Sequence, residues 1–179
     1  MSQMPKKIRT ERLLLRPVMA DDVDAMMEFA TDPEWGRYQQ VPRPYRREHA
    51  REFLSYFAQA DWTSYCGWAI EFDGTYSGAF SMHIHESHKT ASIGFDLDRR
   101  LWGRGLATEA ARAVVGRAFD RLGLRKVWAT ADAPNIGSIR VLEKLGMRRE
   151  GLQRGQHWRH GKPVDIVLYG VLRDEWGAV

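Results

Sequence analysis

The sequence predicts one domain of the α/β class built on a mixed sheet, and three observations carry that reading. A chain of 179 residues is long enough to bury its own core and short enough to need no division. Its strand-like runs gather in the middle and at the end, while helical runs stand before and between them. Periodicity switches between 2 and about 3.6 residues with no linker, repeat or low-complexity tract. The composition, 44% hydrophobic and 28% charged, is ordinary for a globular protein.

The elements follow in order. Residues 11–18, "ERLLLRPV", are a short apolar run bounded by charge and predict a first strand. Val23, Met26, Met27 and Ala30 recur at helical spacing, with Asp21 or Asp22 to cap the start and Pro33 beyond the end. "EWGRYQQVPRPY" carries two prolines and no period, so residues 34–45 read as a loop. Ala50, Phe53, Leu54 and Phe57 mark a second helix. Three strands follow, "SYCGWAIEF", "YSGAFSMHIHE" and "TASIGFDLD", joined by turns of hairpin length into an antiparallel meander. In the second, Phe80, Met82 and Ile84 alternate with Ser81, His83 and His85. In the third, Ile93, Phe95 and Leu97 alternate with Ser92, Gly94 and Asp96, so each has an apolar and a polar face. A long helix then places Leu106, Ala110, Ala113, Val114 and Ala118 on one stripe and stops at Gly123. "KVWATAD" is a strand, "NIGSIRVLEKLG" a capped helix closed by Gly146, and "MRREGLQRGQHW" and "KPVDIVLYGVLR" are final strands.

Composition narrows the function. The formal charge of +4 is dispersed, and no Lys/Arg run interleaves with aromatics, so nucleic acid is not the expected partner. Cys66 is the only cysteine, which excludes an intramolecular disulfide and a Cys-based zinc site; it reads as a buried, inert thiol. No apolar run approaches the roughly 18 residues that span a bilayer, and the first residues lack a signal peptide's apolar core. The expectation is a cytoplasmic protein without a membrane partner.

The chemistry starts at "RRLWGRGLATEAA", residues 99–111. A glycine turn from a strand into a helix leaves N–H groups unpaired at the positive end of the helix dipole, which makes an anion site. Gly103 and Gly105 permit the turn, Thr108 stands one turn in, and Arg100 and Arg104 offer countercharge. The implied ligand is a phosphate or pyrophosphate. "GRGLAT" with Asp132 loosely matches a dinucleotide fingerprint, which keeps an oxidoreductase open. Against it stand Thr108 in place of the third glycine, five residues between strand and turn, and a hairpin where a βαβ crossover is required. The absence of G-K-[ST] excludes a P-loop.

Arg100, Gly103 and Gly105, followed by "LATEA", fill the pattern R-x-x-G-x-G/A, which resembles the acetyl-CoA motif of the GNAT acetyltransferase superfamily. About thirty residues on, "NIGSIRVLEKLGM" is similar to the N-x-x-S segment of its RimJ/RimL branch, as are "TERLLLRP" and "LYGVLRDEW". The resemblance implies a GNAT-like fold: a mixed, mostly antiparallel sheet splayed at its centre with helices on both faces. It assigns the turn amides of Trp102, Gly103, Arg104, Gly105, Leu106 and Ala107, with Thr108, to the coenzyme A pyrophosphate. Main-chain groups of Phe95, Asp96 and Leu97 fall to the pantetheine arm, and Asn135 and Ser138 near its sulfur end. Asn135 is also a helix N-cap, and its amide can serve both uses. Acetyl-CoA is then the co-substrate, no metal is required, and the acceptor is an amine of a protein N-terminus or a small molecule. The resemblance also implies that the first two helices and the loop 34–45, with Trp35, Arg37, Tyr38 and Arg43, line the acceptor side. A homodimer is an open assembly state.

The chemistry implied is direct acyl transfer to a neutral amine, with an N–H of Asp96 or Leu97 stabilising the oxyanion and Ser138 serving the leaving thiolate. The proton acceptor is open among His83, His85, Glu86, Asp96, Asp132, His157 and Asp165. His83 and His85 share a face and serve as base or substrate contact, or are simply solvated. A non-catalytic acyl-CoA-binding module on the same scaffold is the alternative.

Overall fold

The computed structural model describes residues 3–177. Its strands are β1 (Ile8–Arg9), β2 (Leu13–Arg16), β3 (Tyr65–Phe72), β4 (Thr75–His85), β5 (Thr90–Leu97), β6 (Lys126–Asp132), β7 (Arg148–Arg159) and β8 (Lys162–Leu172). Its helices are α1 (Asp22–Ala30), α2 (Arg47–Ala58), α3 (Leu106–Leu122) and α4 (Ile136–Lys144). All strands join one sheet in the order β1-β2-β3-β4-β5-β6-β8-β7. Every neighbouring pair is antiparallel except β5 and β6. No helix among the described residues is long and apolar enough to cross a membrane.

Two departures from the sequence expectation bear on the site. The segment read as plain loop contains a 3-10 turn, Trp35–Tyr38, whose Trp35 is buried. The first helix is not capped in the expected way. Asp21 makes no side-chain cap, while the buried Asp22 carboxylate accepts from Met19 N at 2.7 Å and takes both Arg16 Nη atoms at 2.7–2.9 Å. A carboxylate this far from water keeps its charge only with such partners.

Helices cover both faces. α3 and α4 lie on one side, where Leu106, Ala110, Val114, Ala118 and Leu142 pack onto Leu15, Trp68, Phe80, Ile93 and Val127 from alternating strand positions. α1, the 3-10 turn and α2 lie on the other, around Met26, Phe29, Trp35 and Leu54 against Ala69 and Tyr76. The polar face expected for β4 and β5 is therefore roofed at one end. Ser81 and His83 stay half-exposed and His85 exposed, but Asp96 sits beneath Trp35.

The parallel contact between β5 and β6 lasts three residue pairs, Thr90↔Lys126 to Ser92↔Trp128, and then the strands part. Which polar groups this frees follows from the pleat. Arg125 N donates to Lys89 O across the parallel edge, and Asp98 N donates to Ser77 O on the β4 side. Residues two apart point the same way, so the main-chain groups of Ile93, Phe95 and Leu97 face the gap. Asp96 N–H faces β4, opposite Ala79, which removes it from the role expected of its amide. Gly78 holds the β4 side tight: a Cβ there would overlap the Asp96 carbonyl oxygen.

Candidate active site

The glycine turn forms as its composition requires. Gly103 (φ 76°) and Gly105 (φ 78°) both adopt left-handed backbone, and Gly105 occupies the N-cap of α3. The N–H groups of Gly103, Arg104, Gly105, Leu106, Ala107 and Thr108 donate to no described residue. They form a row of free donors at a helix start, which is an anion site. The turn is braced from outside. Arg12 Nη1 donates to Arg104 O at 3.0 Å, while Glu109 on α3 accepts from Thr10 Oγ1 (2.6 Å), Arg12 N (2.9 Å) and Arg12 Nε (2.7 Å). Burial works against the Glu109 charge, but these donors hold its carboxyl below the usual range.

From this turn a cleft of about 530 Å³ runs up the gap between β5 and β6. Phe95, Leu97, Trp102 and Leu106 line one part of it, and Asn135 and Ser138 at the start of α4 line another. Asn135 Oδ1 accepts from Ser138 N at 3.1 Å, so the N-cap is made and the NH2 end of the amide is left over. Trp102 Nε1 donates to Leu97 O at 2.8 Å and so takes one main-chain acceptor in the gap. Arg140 and Lys144, also on α4, bring positive charge to the wall.

The far part of the cleft is built from side chains distant in sequence. Trp35 Nε1 donates to Asp96 Oδ2 at 3.3 Å, and Tyr38 OH donates to Pro134 O at 3.1 Å, tying the 3-10 turn to the approach of α4. Burial raises the Asp96 carboxyl to about 7, with donation from Trp35 and the Ala79 backbone pulling the other way. Opposite lies Asp132, 5% exposed at the end of β6. Arg159 Nε donates to its Oδ2 at 3.1 Å, and His157 Nδ1 stands 3.4 Å from its Oδ1. Trp35, Tyr38 and Gln39 come from the loop expected on the acceptor side, whereas Arg140, Lys144 and Arg159 were absent from the sequence expectation.

Several expected residues lie elsewhere. Arg100 reaches Asp98 at 2.6 Å and Glu28 at 3.8 Å, and Arg104 lies over the Phe72 ring at 4.8 Å, so neither guanidinium lines the cleft. The positive charge on the cleft wall comes from Arg140 and Lys144 instead. His83 and His85 stand outside the lining too. His83 stacks on Tyr65 at 4.7 Å and meets Tyr56 OH at 3.4 Å, and His85 stacks on Trp128 at 6.0 Å. Cys66 is fully buried, and burial pushes its thiol up to about 12. No group of three or more metal-ligating side chains occurs among the described residues.

Residues 12–148 match the family model described as the acetyltransferase (GNAT) domain. The chain belongs to the GNAT acetyltransferases. An uncharacterised N-acetyltransferase of Bacillus licheniformis, p20, is 30% identical over 94% of this chain and 97% of its own length. The crystal structure of a GNAT-family acetyltransferase from Bacillus anthracis superposes with a TM-score of 0.82 at 28% identity, covering 94% of this chain and 99% of that one. RimL, a ribosomal L7/L12 α-N-protein acetyltransferase solved with coenzyme A, shares the fold at a TM-score of 0.82 and 20% identity, over 93% and 97% of the chains. Membership makes the protein an acyltransferase that uses acetyl-CoA, and it removes the oxidoreductase reading. The GNAT cleft here fits that donor: free N–H groups suit its phosphates, and an unpaired strand edge offers partners to an extended, amide-bearing tail.

Proposed function

We propose that the protein moves the acetyl group of acetyl-CoA directly onto a primary amine of a protein N-terminus or small molecule. Asp96 accepts the amine's proton. The observation that carries this is the place of the Asp96 carboxyl, lining the cleft beneath Trp35 beside the open β5 edge, where burial raises its pKa to about 7. A base is most effective when its pKa lies close to working pH. When bound, acetyl-CoA supplies a thioester whose acyl carbon accepts an amine nitrogen while the carbon–sulfur bond breaks.

The chain's own groups divide the work. Amides from Gly103 to Thr108 hold the pyrophosphate, and Arg140 and Lys144 add countercharge. Main-chain groups of Ile93, Phe95 and Leu97 pair the tail as a further strand would, and the N–H of Phe95 or Leu97 donates to the acyl oxygen as charge develops there. Asn135 donates from its free NH2, and the Ser138 hydroxyl donates to the departing thiolate, relaying to it a proton that water returns to the serine. Trp35 and Tyr38 cover the amine end and limit water. His83 and His85, outside the cleft lining, take no part.

The test is thiol release from acetyl-CoA against pooled amines. Faster release with acceptor, together with loss of the rate in Asp96→Asn, supports the reading. Coenzyme binding without release by any amine supports the non-catalytic alternative.

A further inference from the structure

The reading above leaves the Asp132, His157 and Arg159 cluster without a task, although all three line the cleft. Asp132 is buried and Arg159 is the cation that neutralises it. The guanidinium is only partly used: Nε and Nη2 reach Asp132 at 3.1 and 3.5 Å, and Nη1 donates to no described residue. Arg159 Nη2 also lies 3.1 Å from His157 Nδ1. Asp132 Oδ1 lies 3.4 Å from the same Nδ1, so that nitrogen is held between a donor and an acceptor, while Nε2 meets no described residue. The cluster thus presents two groups without described partners, the Arg159 Nη1 donor and the Nε2 edge of the His157 ring.

We propose that Arg159 and His157 are specificity-determining residues of the acceptor site, reading an oxygen atom that the acceptor carries near its amine. The inference rests on the transferase reading given above. The free Arg159 N–H, with the imidazole edge beside it in a partly enclosed wall, is satisfied by a carbonyl or carboxylate oxygen. A plain diamine brings only N–H donors and a second positive charge, which leaves both groups unpaired and sets ammonium against guanidinium. Asp132 acts through the other two, fixing the fork of Arg159 and, at 3.4 Å from Nδ1, the place of the His157 ring. The substrate class is therefore an amino acid or an aminoacyl compound.

The experiment measures acetyl-CoA-dependent thiol release with alaninamide, alanine and 1,3-diaminopropane, so that amide carbonyl, carboxylate and no oxygen are compared. The wild type is expected to favour an oxygen-bearing acceptor by about tenfold or more in kcat/KM, the scale of one unpaired donor. The better of alaninamide and alanine identifies the oxygen that is read. In His157→Phe, and in Arg159→Lys, which keeps the countercharge for Asp132, that preference shrinks through a higher KM for the oxygen-bearing acceptor. A thermal shift with acetyl-CoA verifies that each variant folds. Equal or better use of the diamine by the wild type overturns the proposal and leaves the coenzyme assignment intact, as does unchanged preference in both folded variants. Release with no amine of either class overturns both this inference and the transferase reading.

Discussion

The two ends of the cleft are made of different material. The end at the glycine turn is main chain: six consecutive N–H groups and one strand edge, positioned by two glycines and a three-pair parallel contact. The opposite end is side chain: Trp35, Asp96, Asp132, His157 and Arg159, drawn from a 3-10 turn and three strands. A main-chain site depends on backbone shape and tolerates exchange of most side chains around it. A side-chain site depends on individual atoms, so each residue there is a point of failure or of divergence.

Substitutions can break or sharpen that contrast, and the greatest effect belongs to Gly105→Glu. It forces a side chain onto left-handed backbone and sets an anion among the free amides, so affinity for coenzyme A falls by about a hundredfold or more by calorimetry. Undiminished affinity in the folded variant would remove the anion site.

Asp96→Asn comes next, lowering kcat/KM by about 10²–10³-fold with coenzyme affinity retained. In the wild type kcat/KM rises as pH passes about 7 and Asp96 loses its proton; in the variant that limb is gone. Stability runs the opposite way. The folded pKa lies above the unfolded one, so the native state holds more protons between about pH 4 and 7 and becomes less stable as pH rises. With the cleft open to solvent on one side, removing that ionisation stabilises Asp96→Asn by roughly 2–3 kcal/mol at pH 8. Chemical denaturation at pH 5 and 8 measures the difference, and equal stability at pH 8 would deny the raised pKa.

Ser138→Ala should cost about tenfold in kcat with little change in coenzyme affinity; unchanged turnover would retire its role as acid. The smallest effect is expected for Glu109→Gln, which loosens the brace behind the turn, costs about 1–2 kcal/mol of stability and weakens coenzyme binding a few-fold. The Glu109 pKa is depressed, so this stabilisation is present above the ordinary carboxylate range and is lost as pH falls below it. A wild-type protein no more stable than the variant at neutral pH would dismiss the brace.

The same contrast explains what could be read in advance. The main-chain end was legible because left-handed backbone and a free helix start leave marks at fixed spacing, Gly103, Gly105 and Thr108, and because Asn135 caps its helix locally. The strands and helices were legible from periodicity, except β1, whose two residues are too short to show a period. The side-chain end was legible only as scattered candidates, Asp96, Asp132 and His157 among them, because residues 35, 96, 132, 157 and 159 meet only when the sheet closes. Arg100 and Arg104 misled for a related reason. Their positions in the chain are right for an anion, but Asp98 and Phe72 claim their guanidinium groups. Gly78 gave no warning either, since only the approach of β5 makes its missing Cβ necessary.

Three rungs joining β5 to β6 are few for the middle of an eight-stranded sheet. The flanking half-sheets are held together there chiefly by the packing of α3 and α4 across the seam. A donor molecule lying in the opening completes the interrupted ladder, so the protein's resistance to heat and proteolysis should follow the concentration of its own reactant by mass action. Starved of that reactant, the molecule would be expected to come apart first along this seam.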